Sequence, residues 1–541
     1  MDFLSLRGLI LAEIVDTPKV ASYSYDDIPY PSHPFEATHP DHIYTMAKLF
    51  NLDAPLPDTA SILELGCASG GNIIPLADQM PNARIVGVDL SGKQIADGQK
   101  TVDALGLTNI QLIAKDFQEI DESFGQFDYI LCHGVFSWVP PSAQERILQI
   151  CHERMSPNGL AYISYNAYPG WFMRGMIRQM MLHHVSNLPD PKSKIQQARA
   201  LLSFIVESTE GQSTPYAQVL KSELDLLAKH PDSYLFHEHL EENNRPMFFY
   251  QFMEMAKGHQ LQFLGESSLA TMITSNLPAK AAESLTKLTT DVYHRSQYTD
   301  FVTNRMFRQT LLCHKDRKLD RHLSPARLEG GHYAGNIRTE DASLENNLSP
   351  DVDVAFKCAN GRRIQTKNSA LKALVFTLSE SWPHSLTIAE ICERVEKKLS
   401  ELLVVGNQEQ LSIANVVNSN MLPLVVRGDI DLRLLPDRYV VAISDMPKVS
   451  SLARLQAKQG SMLTTQRHSM LNADPLTRIV LPVIDGTRTR EGIGQFIGEL
   501  AASGKLNINV QGNSIVDMTA VHKATVDKIL EQLRRSAMLT S

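Results

Sequence analysis

The segment Ile62-Leu63-Glu64-Leu65-Gly66-Cys67-Ala68-Ser69-Gly70-Gly71-Asn72 constrains the fold more than any other part of the chain. It reads as a buried strand, then a turn of small residues, then the start of a helix. Small residues at 66, 68 and 70 leave room where a backbone must approach a ligand, and glycine accepts the positive φ angles that such a turn demands. The N–H groups at the start of the following helix then face that ligand.

Residues 62–166 continue in the alternation that a doubly wound α/β sheet requires. Strands are predicted at 62–65, 84–89, 110–116, 127–133 and 160–166, several as near-continuous apolar runs typical of parallel strands buried on both faces. Helices with i, i+3, i+4 apolar spacing are predicted at 72–80, 92–105 and 143–155, and Ser156-Pro157-Asn158-Gly159 turns the chain into the fifth strand. After Trp171 the periodicity becomes helical, at 172–187, 194–208 and 216–229. A helix and strand follow at 248–257 and 261–265, and a last strand at 305–314.

The expectation is a seven-stranded sheet core over 21–171, with a helical insertion over 172–315 that carries the last strands, about 248–265 and 305–314. Residues 316–353, rich in charge, Gly, Asn and Pro, read as a linker. A capping box at Thr387-Ile388-Ala389-Glu390, an element at 415–426 and a short hairpin at 429–439 predict a winged-helix-like module over 354–447. Residues 448–541 read as a mainly helical module.

The chain of 541 residues has a net charge of −8, which argues against a surface held broadly to nucleic acid or anionic lipid. The winged-helix-like module is therefore expected to contact protein. The six cysteines are dispersed without Cys-x-x-Cys spacing, so neither a zinc site nor a disulfide framework is expected, and a reducing cytoplasm is the expected compartment. No apolar run reaches the ~20 residues of a membrane span. Residues 4–15, interrupted by Arg7 and Glu13, read as an amphipathic start, not a targeting signal. His237-Glu238-His239 does not suggest a metal site, because residues two apart do not share a helix face.

The glycine turn alone allows two nucleoside cofactors. Gly66-x-Ala68-x-x-Gly71 could be a degenerate dinucleotide loop, whereas Glu64-x-Gly66-x-Ala68-x-Gly70 resembles the S-adenosylmethionine (SAM) loop of class I methyltransferases. Asp89 ends the second strand about twenty residues on, where a carboxylate meets ribose hydroxyls. Asp116 ends the third strand in Lys115-Asp116-Phe117, where class I methyltransferases commonly place an acid against the adenine amino group and an apolar residue against the ring. Glu64, inside an apolar strand, needs a partner, and the amino group of SAM, a loop amide or an internal salt bridge would serve. The turn at 156–160 resembles the Pro-Gly turn before strand five in that family and favours SAM over NAD.

A closer resemblance follows from longer motifs. Tyr25-Asp26-Asp27-Ile28-Pro29-Tyr30-Pro31-Ser32-His33-Pro34-Phe35 with Thr38-His39-Pro40, His133-Gly134-Val135-Phe136-Ser137-Trp138-Val139-Pro140, Tyr165-Asn166-Ala167-Tyr168-Pro169-Gly170-Trp171 and His237-Glu238-His239-Leu240-Glu241 are similar to bacterial class I methyltransferases that carry a methyltransferase regulatory domain. That family includes rickettsial protein-lysine methyltransferases that modify a surface protein. The resemblance implies SAM-dependent methylation of a protein substrate, with S-adenosylhomocysteine as co-product. It implies a cofactor set of Glu64, Gly66, Cys67, Ala68, Gly70, Asn72, Asp89, Leu90, Asp116, Phe117 and His133.

A lysine acceptor must lose its proton, which costs about 4.6 kcal/mol at pH 7 unless the site lowers its pKa. Desolvation among aromatics would lower it, and aromatic faces also hold cations. Tyr23, Tyr25, Tyr30, Phe35, Phe136, Trp138, Tyr165, Tyr168 and Trp171 are candidates for such a wall, against the alternative that they pack a core. Tyr30, His39, Trp138, Tyr165 and Tyr168 form the candidate catalytic set, with His133 as another proton acceptor. In-line transfer needs no metal. A small-molecule methyltransferase, a SAM-sensing scaffold and an NAD-dependent oxidoreductase are the alternatives. The strand-four sequence Cys132-His133-Gly134-Val135 lacks the patterns used on a flipped DNA base.

Overall fold

The computed structural model describes residues 32–403, 413–504 and 518–540. Its centre is a seven-stranded sheet of order β3-β2-β1-β4-β5-β7-β6. The strands are β1 (Ser61–Leu65), β2 (Arg84–Asp89), β3 (Ile110–Ala114), β4 (Phe127–Cys132), β5 (Met155–Asn166), β6 (Leu261–Glu266) and β7 (Phe307–His314). β1 to β5 pair in parallel, and β7 lies antiparallel between β5 and β6. Strand order reverses between β1 and β4, which opens a crevice at their carboxyl ends.

Alternation in β1 feeds two cores. Ile62 packs on one face, while Leu63 and Leu65 pack on the other. Glu64 shares the face of Ile62. The turn expected at 156–159 is instead part of β5, where pairing slips between Phe127↔Met155 and Tyr129↔Leu160. Asp128 absorbs the slip: its carboxylate accepts from Ser156 Oγ at 2.7 Å and Ser61 N at 2.9 Å.

Helix α1 (Pro40–Leu49) opens with proline behind the N-cap His39, and α2 (Ile73–Gln79) follows the glycine turn. Helix α3 (Gly92–Leu105) is capped by Ser91 and stopped by left-handed Gly106, and α4 (Pro141–Arg154) precedes β5. Between β5 and β6, helices Trp171–Val185, Pro191–Ser208 and Pro215–Leu227 close around their own core of Ile177, Met181, Leu202, Leu220 and Leu227. In that insertion His237 and His239 pair with different carboxylates, Glu241 at 3.0 Å and Glu223 at 2.9 Å.

The expected linker supplies sheet. Strands His332–Ala334 and Ile337–Thr339 lie inside 316–353, because Tyr333 and Ile337 are buried anchors in a charged stretch. The expected hairpin at 429–439 does not form: Asp431–Arg433 pairs with His332–Ala334, and Pro436 has no N–H for a return strand. The capping box does form, with Glu390 accepting from Thr387 N at 2.8 Å and Glu390 N donating to Thr387 Oγ1 at 3.3 Å. The last module has its own core, including Val449, Leu463, Val480, Ile493, Leu530 and Leu539. Among the described residues no helix is long and apolar enough to cross a membrane.

Helix α1 is the keel between the sheet and the later modules. One apolar core runs from Ile62 and Ile85 through Ile43, Met46 and Phe50 to Tyr333, Phe376 and Leu424. Arg438 grips Asp41 with two bonds of 3.1 and 2.9 Å.

At the far edge of the sheet, Arg308 on β7 donates to Asp300 at 2.8 and 2.9 Å and to Glu266 at 2.6 Å, under the ring of Phe249. All three charges are buried. Arg308→Ala would leave two buried carboxylates with Arg305 alone, 3.1 Å from Asp300 and 3.7 Å from Glu266, as their cation. It is expected to lower the unfolding free energy by about 3–5 kcal/mol in a denaturant titration, and a loss under about 1 kcal/mol would mean that water replaces the guanidinium.

Candidate functional site

The turn between β1 and α2 passes through three left-handed residues, Gly66 (φ 75°), Ala68 (φ 50°) and Gly70 (φ 76°). The end of β2 holds it in place. Gly66 and Cys67 N–H donate to Val88 O at 2.8 and 3.1 Å, and Ala68 N–H donates to Asp89 Oδ2 at 2.8 Å. A Cβ on Gly66 would sit 2.3 Å from Val135 Cγ2, so the turn presses against the segment after β4. A Cβ on Gly71 would meet Ser32 O at 2.3 Å, and Gly71 N–H donates to Ser32 Oγ at 2.7 Å. Ala68 is the departure from an all-glycine turn, at a cost of roughly 1 kcal/mol. Cys67 is buried, and burial pushes its thiol up.

Below the turn, Asn72 Nδ2 donates to Glu64 Oε1 at 2.7 Å. Asn72 Oδ1 accepts from Phe35 N at 3.0 Å, Thr38 Oγ1 at 3.0 Å and His468 Nε2 at 2.8 Å. Because Phe35 N–H can only donate, the orientation of the Asn72 amide is unambiguous. Glu64 Oε2 is buried without a hydrogen-bond partner. Burial, with the Asp89 carboxylate nearby, raises the Glu64 carboxyl to about 8.

At the ends of β2 and β3 the expected nucleoside contacts stand in order. Asp89 Oδ1 accepts from Ser91 N at 2.9 Å, and Leu90 beside it is 51% exposed. Asp116 caps a short turn by accepting from Gln118 N at 2.9 Å, and Phe117 begins that turn, half-buried. His133 ends the row. Its ring lies 3.8 Å from that of Phe35 and shares a 2.8 Å hydrogen bond with Tyr162 Oη.

The candidate catalytic residues separate. Tyr30, like Tyr23 and Tyr25, lies outside the described residues. His39 serves as the N-cap of α1, its Nδ1 accepting from Asp41 N at 3.1 Å, and burial lowers it to about 4. Tyr165 is in the core, stacked on Phe252 at 4.2 Å, because strand alternation points it to the face opposite Tyr162 and Ser164. Phe136 and Trp171 are buried too. Trp138 and Tyr168 stay half-buried, Trp138 edge-on to Trp171 at 6.1 Å and Tyr168 stacked on Phe172 at 4.0 Å. Among the described residues no group of three His, Cys, Asp or Glu is placed to hold a metal ion.

Three family models match: "Methyltransferase domain" over residues 62–159, "Predicted methyltransferase regulatory domain" over 231–314, and "PKMT, C-terminal winged helix domain" over 445–538. An uncharacterized protein of Rickettsia prowazekii is 38% identical, over 94% of this chain and 91% of its own. The solved structure of PKMT2 from Rickettsia typhi is 32% identical, covers 95% of this chain and 100% of its own, and superposes with a TM-score of 0.85. The chain belongs to this methyltransferase family. The same PKMT2 has been solved in complex with AdoHcy at equal similarity. The enzyme is a SAM-dependent class I methyltransferase. The winged-helix match falls on 445–538, later than the 354–447 span in which the sequence pattern placed one.

The residues present fit SAM. The unpartnered Glu64 Oε2 could receive an ammonium, the turn at Gly66–Gly70 is built for close backbone approach, and Asp89 and Leu90 stand at the strand end. Sequence reasoning missed Tyr162 and Ser164, whose signal was the alternation of β5, and Ser32, which lay inside a quoted motif. His468 carried no signal at all, being 396 positions from Asn72.

The Glu64 carboxyl, raised in the fold above its ordinary 4.5, contributes stability below that value and loses it as pH rises toward 8. His39, His42 and His133, lowered to about 4 in the fold, are still half-protonated at pH 6.5 when unfolded, so their release of protons up to about pH 7.5 works in the opposite direction. The thermal midpoint of the ligand-free enzyme relative to that of Glu64→Gln should therefore fall from pH 6.5 to 8, the histidines being common to both; a constant difference would mean that Glu64 is solvated.

Proposed function

We propose that the enzyme methylates protein side chains, with the lysine ε-amine as acceptor. The observation that carries this reading is an aromatic ledge beside the carboxyl end of β5. Tyr168 stacks on Phe172, and Phe248 touches Tyr168, Tyr250 and Phe301, with ring centroids 4.0–6.0 Å apart; Phe172, Tyr250 and Phe301 are about half exposed. Phe307, paired with Asn166 at the end of β5, lies edge-on to His133 at 6.0 Å. Exposed aromatic faces suit a polypeptide that brings a cationic side chain. The similarity to PKMT2 along nearly the whole chain supports the same reading.

SAM, when bound, supplies a methyl group on a sulfonium. Glu64 would hold its amino group, the backbone of 66–70 with Cys67 its methionine portion, Asp89 its ribose, and Leu90, Asp116 and Phe117 its adenine, with Asn72 and His133 closing the site. Trp138 and Tyr168 would remove water from the acceptor amine, which lowers its pKa. His133, held near 4, is too weak a base to take the proton of a lysine, and the Nδ1 of His39 is spent on the helix cap. Desolvation, more than a dedicated base, would prepare the nucleophile, and Tyr165 would support the wall from the core.

A second reading, a small-molecule acceptor, has one observation in its favour: a cavity of about 430 Å³ beside β6 and β7, lined by Thr271, Asn304, Arg305, Phe307 and Gln309. That volume is within the range of small-ligand pockets. Incubation of the enzyme with methyl-labelled SAM and a cell lysate separates the two. Label in protein bands at lysine is expected, and label confined to small molecules would overturn the proposal.

A further inference from the structure

The hairpin Met462–Thr464 and Met470–Asn472, inside the winged-helix match, turns through 465–469 and places His468 at its tip. The tip points inward. His468 is fully buried, with φ 60°, and its Nε2 lies 2.8 Å from Asn72 Oδ1. Its Nδ1 has no hydrogen-bond partner, so the proton sits on Nε2 and donates to Asn72. Burial, with His39 and Arg433 nearby, keeps the ring neutral. Arg467 braces the tip by pairing with Asp431, donating to Tyr439 Oη at 2.9 Å and lying over the Trp382 ring at 4.5 Å. Gln466 N donates to Ala537 O at 2.9 Å from the last helix's end.

Asn72 Oδ1 thus takes three donors, two from the segment before β1 and one from the C-terminal module. Withdrawing charge at Oδ1 strengthens the Nδ2 donor aimed at Glu64, and the closed tip keeps water from the Glu64 pair. We infer that His468 is a positioning residue for the cofactor: the C-terminal hairpin completes the SAM site by holding Asn72, and through it Glu64, against the amino group of the methionine portion. This rests on the reading that Glu64 receives that amino group. It gives the C-terminal module a part in cofactor binding.

Calorimetric titration of the full chain with SAM and with 5′-methylthioadenosine, a neutral thioether that lacks the whole aminocarboxypropyl portion, tests it. His468→Leu should weaken SAM about five- to tenfold, the effect of one lost buried hydrogen bond, and leave methylthioadenosine unchanged. His468→Gln, which places an amide N–H where Nε2 stands, should restore SAM binding to within about threefold; His468→Asn, whose shorter amide cannot reach, should not, and it replaces the leucine variant if that one fails to fold. Equal weakening of both ligands would make His468 a structural residue and overturn the inference, as would unchanged SAM affinity in His468→Leu. If Glu64→Gln alters the ratio of the two affinities and the His468 variants do not, only the role of His468 falls; if Glu64→Gln leaves the ratio unchanged, the reading of Glu64 falls first.

Discussion

A carboxyl group inside a parallel strand must find partners, and the way Glu64 finds them organises this protein. One oxygen takes the amide of Asn72, and the other is buried with nothing to bind. The two requirements fix where the glycine turn, the first residues of α2 and the segment 32–39 must lie. Gly66 and Gly71 have no side chain because Val135 and Ser32 occupy that space. Asp89 then ties the turn to β2 through the Ala68 amide, so the loop is shaped before a cofactor arrives.

The site is assembled from parts of the chain that are far apart. Ser32 and Phe35 come from before the sheet, Asn72 from its first turn, His133 from the end of β4 and His468 from the winged-helix match. Helix α1 makes this possible by sharing its core with both the sheet and the later modules. The C-terminal module is a structural neighbour of the cofactor loop.

Much of the sheet was legible because its signals are local. Buried strands read as apolar runs, and helix α3 begins at Ser91 and ends at Gly106, as its capping chemistry requires. The glycine turn after β1 and the place of Asp89 at the end of β2 were read from spacing, and the part expected of Asp116 from the family resemblance. What stayed hidden depends on tertiary partners. Tyr165 looked like a wall residue until the alternation of β5 placed Tyr162 and Ser164 on the other face. His39 looked like a base until the helix behind it claimed its nitrogen. The span 316–353 looked like a linker because the strands it supplies are three residues each and buried mainly by distant helices. No pattern in sequence reports a contact such as His468 with Asn72.

The central claim is that Glu64 is a neutral acid in the free enzyme and a carboxylate once it faces the amino group of SAM. Calorimetric titration with SAM at pH 7, repeated in buffers of different ionisation enthalpy, measures the protons exchanged on binding. With the carboxyl at about 8 before binding, release of about one proton per SAM is predicted, and none in Glu64→Gln. Equal proton release by the two proteins, or no release by the wild type, would contradict it.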